Sequence, residues 1–148
     1  MHKRISLATV VALPLLAACG DATTGVQPED LAGTWTSTSI IATSKADPSV
    51  SENLTDQGVT DVITIEASGS YSVTRSVEGG GSDTDTGTLI VEGNTVTLTT
   101  DGIDDQVSGT ITRSGDTLTL ELTEGAEHDF GTGSDEPANY EITFERTG

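Results

Sequence analysis

Three glycine-centred turns, each flanked by runs in which apolar residues alternate with threonine, constrain this chain more than any other feature of its sequence. A short turn fixes which side chains face each other across a hairpin, and a slip of one residue moves every side chain to the opposite face. With Gly93-Asn94 as the turn, Val91 meets Val96 and Leu89 meets Leu98. With Gly115-Asp116 as the turn, Arg113 meets Leu118, Ile111 meets Leu120 and Gly109 meets Leu122. Both registers gather the bulky apolar residues on one face and threonines on the other. A two-residue turn at Ser68-Gly69 would instead set Ile65 against Ser72. A three-residue loop, Ala67 to Gly69 with Gly69 at positive φ, restores the pattern: Ile65 faces Tyr71, Ile63 faces Val73 and Asp61 faces Arg75.

From Leu31 onward no long segment has helical periodicity, and eight strands are expected at about 31–42, 59–66, 70–77, 86–92, 95–100, 107–113, 117–123 and 139–147. If they run up and down, the three tight turns share one end. The longer connections 43–58, 78–85, 101–106 and 124–138 share the other. Closing the sheet removes the edges that an open sheet exposes to aggregation. The expected fold is therefore all-β, an eight-stranded up-and-down antiparallel barrel with a closed base and a loop-rimmed mouth. Its inward face is expected to include Leu31 and Ile41 on the first strand, Ile63, Ile65, Tyr71, Val73 and Val77 on the next two, and Ile142 and Phe144 on the last. A barrel of eight strands either fills with its own side chains or leaves room for one small ligand. Composition leaves both outcomes open.

The N-terminus follows a different logic. Lys3 and Arg4 precede an uncharged run, Ile5 to Ala18, that contains Pro14 and ends in small residues just before Cys19, the single cysteine. That is the layout of a secretory signal, and the run is too short to span a bilayer. Leu16-Ala17-Ala18-Cys19 resembles the lipobox of bacterial lipoproteins. The resemblance implies that the Cys19 thiol takes up a diacylglyceryl group, that the chain is cut before it, and that the new amine receives a fatty acyl chain such as palmitate. Several chains together anchor a protein stably, where one holds only marginally. A buried structural cysteine is the alternative, but the polar stretch GDATTGVQPED follows at once. The expected organisation is a lipoprotein signal peptide at 1–18, a lipidated flexible tether at 19–30 and a barrel domain at 31–148. The implied location is the bacterial cell envelope, and Gly20 in place of an aspartate implies the outer membrane.

Loss of Lys3 and Arg4 with the leader leaves four basic residues against 24 acidic ones, a formal charge of −20. Phosphate recognition depends on Lys and Arg, so no nucleic-acid partner is expected. Anionic head groups repel such a body, so the membrane is met through the lipid alone, and a monomer is expected. The acidic stretches SDTDTG, DGIDDQ and EGAEHDFGTGSDEPAN lack EF-hand spacing and read as solvated loops, so no metal is assigned. With the leader gone His128 is the one histidine, no G-x-S-x-G elbow exists and Cys19 is blocked by lipid. No catalytic residue, cofactor or enzymatic activity is expected.

Gly33-Thr34-Trp35 opens the first strand, and Arg146 closes the last in phase with Tyr140, Ile142 and Phe144. This resembles the lipocalin family and the shorter lipocalin-like domains of bacterial lipoproteins, and the resemblance covers about residues 29–148. A tryptophan offers the largest apolar plug for the closed end, and a flat guanidinium can stack on its face. Trp35 and Arg146 are therefore expected to form a structural barrel-closing pair, with Arg113 at the same end. The resemblance implies a protein that binds or carries a small apolar or amphipathic ligand. Candidate contacts are Arg75, Asp61 and Tyr71, with Arg75 placed to hold a ligand carboxylate and Asp61 to orient it. The alternative for Asp61 and Arg75 is a cross-strand pair at the rim. The alternative for the whole chain is a filled barrel that serves as a structural or protein-interaction module.

Overall fold

A computed structural model describes residues 25–148. The expected signal peptide at 1–18 and Cys19 lie outside the described residues. A short helix α1 (Pro28–Leu31) precedes ten strands: β1 (Gly33–Ser44), β2 (Ser51–Asn53), β3 (Val59–Ile65), β4 (Ser70–Val77), β5 (Ser82–Glu92), β6 (Thr95–Thr100), β7 (Gln106–Ser114), β8 (Thr117–Glu124), β9 (Glu127–His128) and β10 (Glu136–Arg146). Sequential antiparallel pairing runs β1-β3-β4-β5-β6-β7-β8-β10, and β10 pairs back onto β1. The sheet is thus a closed eight-stranded barrel, and β2 and β9 are additions to its mouth.

The three hairpins adopt the registers that the sequence predicts. Leu89 lies opposite Leu98 and Val91 opposite Val96. Ile111 lies opposite Leu120, Arg113 opposite Leu118 and Gly109 opposite Leu122. Asp61 lies opposite Arg75, Ile63 opposite Val73 and Ile65 opposite Tyr71. Gly93 and Gly115 take φ of 63° and 60°, the left-handed first position of a tight hairpin turn, and Gly69 takes 95°.

Four expectations are corrected. The inward residue of the first strand is Ile40, fully buried, and Ile41 is only half-buried. A bulge between Ser37 and Ser39 adds a residue against β10 and shifts the phase, so that Trp35 and Ser37 below it and Ile40, Ala42 and Ser44 above it all face inward. Leu31 is buried but ends α1 instead of opening β1. The second half of the expected loop 78–85 is strand, because β5 begins at Ser82, paired to Ser76 of β4. Val77, expected inside, is 44% exposed at the rim.

Of the expected tether at 19–30, residues 19–24 lie outside the described residues. Of its described part, the Val26 N–H donates to the Gly93 carbonyl at 3.2 Å and α1 lies on the barrel base. At the mouth, β1 leaves β3 above Thr36 and pairs instead with β2. The gap is plugged by Leu54, 4% exposed, whose N–H donates to the Ile40 carbonyl at 2.8 Å.

Candidate functional site

The base of the barrel is solid. Trp35 is fully buried, and its Nε1–H donates to the Leu31 carbonyl at 2.8 Å. The Arg146 guanidinium lies over the indole, 4.4 Å from its centroid, and donates from Nη1 to the Ala32 carbonyl at 3.0 Å. Arg113 is 5.6 Å from the same ring and donates to the carbonyls of Asp30 and Gly115. Gly33 explains the first letter of the G-x-W: a Cβ there would lie 2.7 Å from Arg146 Nη1. Its φ of 137° is in any case one that side chains rarely adopt.

Above this plug the interior is hollow. A cavity of about 460 Å³ is walled by Ile63, Val73, Leu98, Val107, Leu120, Leu122, Ile142 and Phe144. It reaches solvent past Arg75, Val77 and Gly81. The hollow follows from side-chain size: above the Trp35 layer the strands contribute mostly Val, Leu and Ile, and no second tryptophan exists to cross the lumen. Asp61, Arg75 and Tyr71, the three candidate ligand contacts, all line this one space.

The Asp61–Arg75 pair is bidentate. Arg75 donates from Nε to Asp61 Oδ1 and from Nη2 to Asp61 Oδ2, both at 2.7 Å. Asp61 is buried, and its backbone N–H donates to Ser37 Oγ at 2.8 Å. The Arg75 side chain is 44% exposed. The hydrogen-bonded Asp61 carboxylate holds the Arg75 guanidinium above its ordinary pKa. Asp61 thus takes the Nε edge of the guanidinium and leaves the edge between Nη1 and Nη2 outside this pair.

Tyr71 crosses the wall toward β6, its hydroxyl 3.1 Å from Thr100 Oγ1. Gly87 permits this. It lies opposite Tyr71 on β5, and a Cβ there would sit 2.8 Å from the phenol oxygen and 2.0 Å from the Thr99 carbonyl oxygen.

A second polar cluster ties the two added strands together over the mouth. The Tyr140 hydroxyl is 3.0 Å from His128 Nδ1 and donates to the Glu127 carbonyl at 3.2 Å. His128 Nε2 is 2.9 Å from Glu52 Oε2, which joins the segment around β9 to β2. Phe130 packs edge-on against the His128 ring at 4.7 Å. Burial pushes the Tyr140 hydroxyl above its ordinary pKa, and the hydrogen bond to His128 draws Glu52 below the usual carboxylate range.

Two residues of the site escape the sequence reading. Asp83 and Asp85 belong to an acidic stretch that reads as loop, yet they continue β5 in phase with Gly87 and Leu89 and line the cavity. The signal that could have found them is the unbroken period of two, Asp83, Asp85, Gly87, Leu89, Val91, which an apolar count overlooks because its first three members are not apolar. Among the described residues no group of three or more His, Cys, Asp or Glu is arranged to hold a metal ion, and no helix is long and apolar enough to cross a membrane.

The family model of the lipocalin-like domain matches residues 31–120, from the end of α1 to the middle of β8. No curated protein matches the sequence.

Proposed function

Because the chain belongs to the lipocalin-like domain family, whose barrels in general bind or carry small ligands and typically lack enzymatic activity, we propose that it takes one small apolar or amphipathic molecule into its lumen while a lipid on Cys19 holds it at the bacterial cell envelope. The single observation that carries the ligand is the cavity. Its roughly 460 Å³ falls within the range of about 300–1,000 Å³ usual for small-molecule sites. Its wall is chiefly aliphatic, while Asp61, Arg75 and Tyr71 supply polar groups on one side. A filled barrel acting only through its loops would have no reason to keep such a space. The lipid anchor rests on the sequence around Cys19, and the acidic body supports a role at the membrane without adhesion to anionic head groups.

The experiment is saturable binding of N-phenyl-1-naphthylamine, an apolar dye that fluoresces when it leaves water. The mature chain should bind about one equivalent. Leu98→Trp and Val107→Trp should each abolish binding without lowering the melting temperature much, because the added rings enter empty space. Absence of saturable binding by a folded wild-type protein overturns the proposal.

A further inference from the structure

We propose that the molecule accepted by the barrel is a cation, an amphipathic amine or quaternary ammonium whose apolar part lies in the lumen and whose charged head meets Asp83 and Asp85. This rests on the reading of the barrel as a container and adds the chemical class of its occupant.

The case is a charge count inside the lumen. The described chain has only four basic side chains, Lys45, Arg75, Arg113 and Arg146. Arg113 and Arg146 are committed to Trp35 at the base. Lys45 lies 3.7 Å from Glu124 and does not line the cavity. Arg75 alone faces the lumen, and Asp61 accepts one hydrogen bond from its Nε and one from its Nη2. Asp83 and Asp85 line the same space at its solvent-exposed rim, and among the described residues neither has an ion-pair partner. The lumen and its rim therefore carry three carboxylates, Asp61, Asp83 and Asp85, against the one guanidinium of Arg75.

Position reinforces the count. Across β3, β4 and β5 one row reads Asp61, Arg75, Asp83, and the row below reads Ile63, Val73, Asp85. Asp85 thus sits where the polar rim gives way to the aliphatic wall, the level at which an amphiphile whose tail fills the cavity leaves its head. β6 ends at Thr100 opposite Gly87, so the part of β5 that bears both aspartates extends beyond its neighbouring strand. An anionic head at this level could reach only the remaining edge of Arg75 and would lie among Asp61, Asp83 and Asp85. A cationic head gains the carboxylates of Asp83 and Asp85.

The test uses three ligands with one tail: decylamine, decanol and decanoate, titrated calorimetrically at pH 7 and low salt into the mature chain with Cys19→Ser, a change that removes only the lipid. Decylamine should bind roughly tenfold or more tighter than decanol, and decanoate weakest, the scale of one partly solvated charge contact. Asp83→Asn/Asp85→Asn should erase the preference for decylamine and leave decanol binding intact, which also reports that the barrel is folded. Equal affinity for all three ligands, or a preference for decanoate, overturns the cation and leaves the container standing. Failure of all three to bind the folded protein overturns the container, and the cation with it.

Discussion

The Arg146 guanidinium lies 4.4 Å from the centre of the Trp35 ring, so the last strand of the barrel caps the largest side chain of the first. The contact joins the two ends of the domain where β10 closes onto β1, with Trp35 and Arg146 directly paired. Arg146→Ala should lower stability by about 1–3 kcal/mol, from loss of a desolvated cation–π contact and of the hydrogen bond to Ala32. Arg146→Lys should recover only part of this, since an ammonium lacks the flat face. Urea denaturation checks both, and a neutral alanine variant would remove the stopper from the account of the base.

Asp61 and Arg75 should respond unequally to loss of the partner. Asp61 is buried, whereas the Arg75 side chain is 44% exposed. Arg75→Met strands a carboxylate without water and should cost about 3–5 kcal/mol. Asp61→Asn frees a guanidinium that can turn to solvent and should cost less, about 1–2 kcal/mol. Arg75→Met combined with Asp61→Asn should be more stable than Arg75→Met alone. Equal costs for the two single changes would show that Asp61 is better hydrated than its burial implies.

Gly87→Ala should be destabilising by about 1–3 kcal/mol, because its Cβ meets the Thr99 carbonyl oxygen at 2.0 Å and the Tyr71 phenol at 2.8 Å. Tyr71→Phe removes only the hydroxyl contact to Thr100 and should cost roughly 0.5–1.5 kcal/mol. If the tight approach of Gly87 to Tyr71 is the cause, Gly87→Ala with Tyr71→Ala should cost less than the two changes summed. Additive thermal melts would contradict that coupling.

Stability should form a plateau around neutral pH. Glu52 is held low by His128, Asp47 by the Ser49 hydroxyl and Asp129 by the Gly133 N–H. A carboxylate whose folded pKa is depressed contributes stability above its unfolded pKa, and that contribution is lost as pH falls through the folded value, here below about pH 4. Tyr140 is raised by burial above the ordinary tyrosine value of 10.0, so its contribution is full below that value and is lost as pH climbs past it. Far from both limits, added NaCl should raise the melting temperature by roughly 2–5 °C by screening an excess of 24 acidic over few basic residues. Melting curves against pH and salt check both; a melt that sharpens in acid or ignores salt would count against them.

Cys19→Ala should leave the precursor uncleaved and without lipid, as read by incorporation of labelled palmitate and by fractionation of membranes. Unchanged labelling would place the lipid elsewhere or nowhere.

The hairpins were legible because their determinants are local. A glycine that accepts positive φ and a period of two on either side specify the register of Val91 with Val96, of Ile111 with Leu120 and of Asp61 with Arg75 without reference to the rest of the chain. The bulge at Ser37–Ser39 was not legible, because it answers to pairing with β10, about a hundred residues away, and nothing in SerThrSerIleIle marks which isoleucine turns inward. Likewise His128 reads in the sequence as a lone histidine. Only the closure of β10 onto β1, with β9 paired to the one and β2 to the other, brings Tyr140 to one of its nitrogens and Glu52 to the other.

The sequence by itself determined that this chain is a meander of hairpins with one greasy and one threonine-rich face, that its surface is strongly acidic, and that a tryptophan and an arginine stand at its two ends. These are matters of composition and near-neighbour geometry. Tertiary structure alone decided that the cylinder is hollow above its tryptophan and that Asp83 and Asp85 line the rim of its lumen. Such facts depend on the volumes and charges that distant strands bring to a shared interior, and no single strand carries that sum.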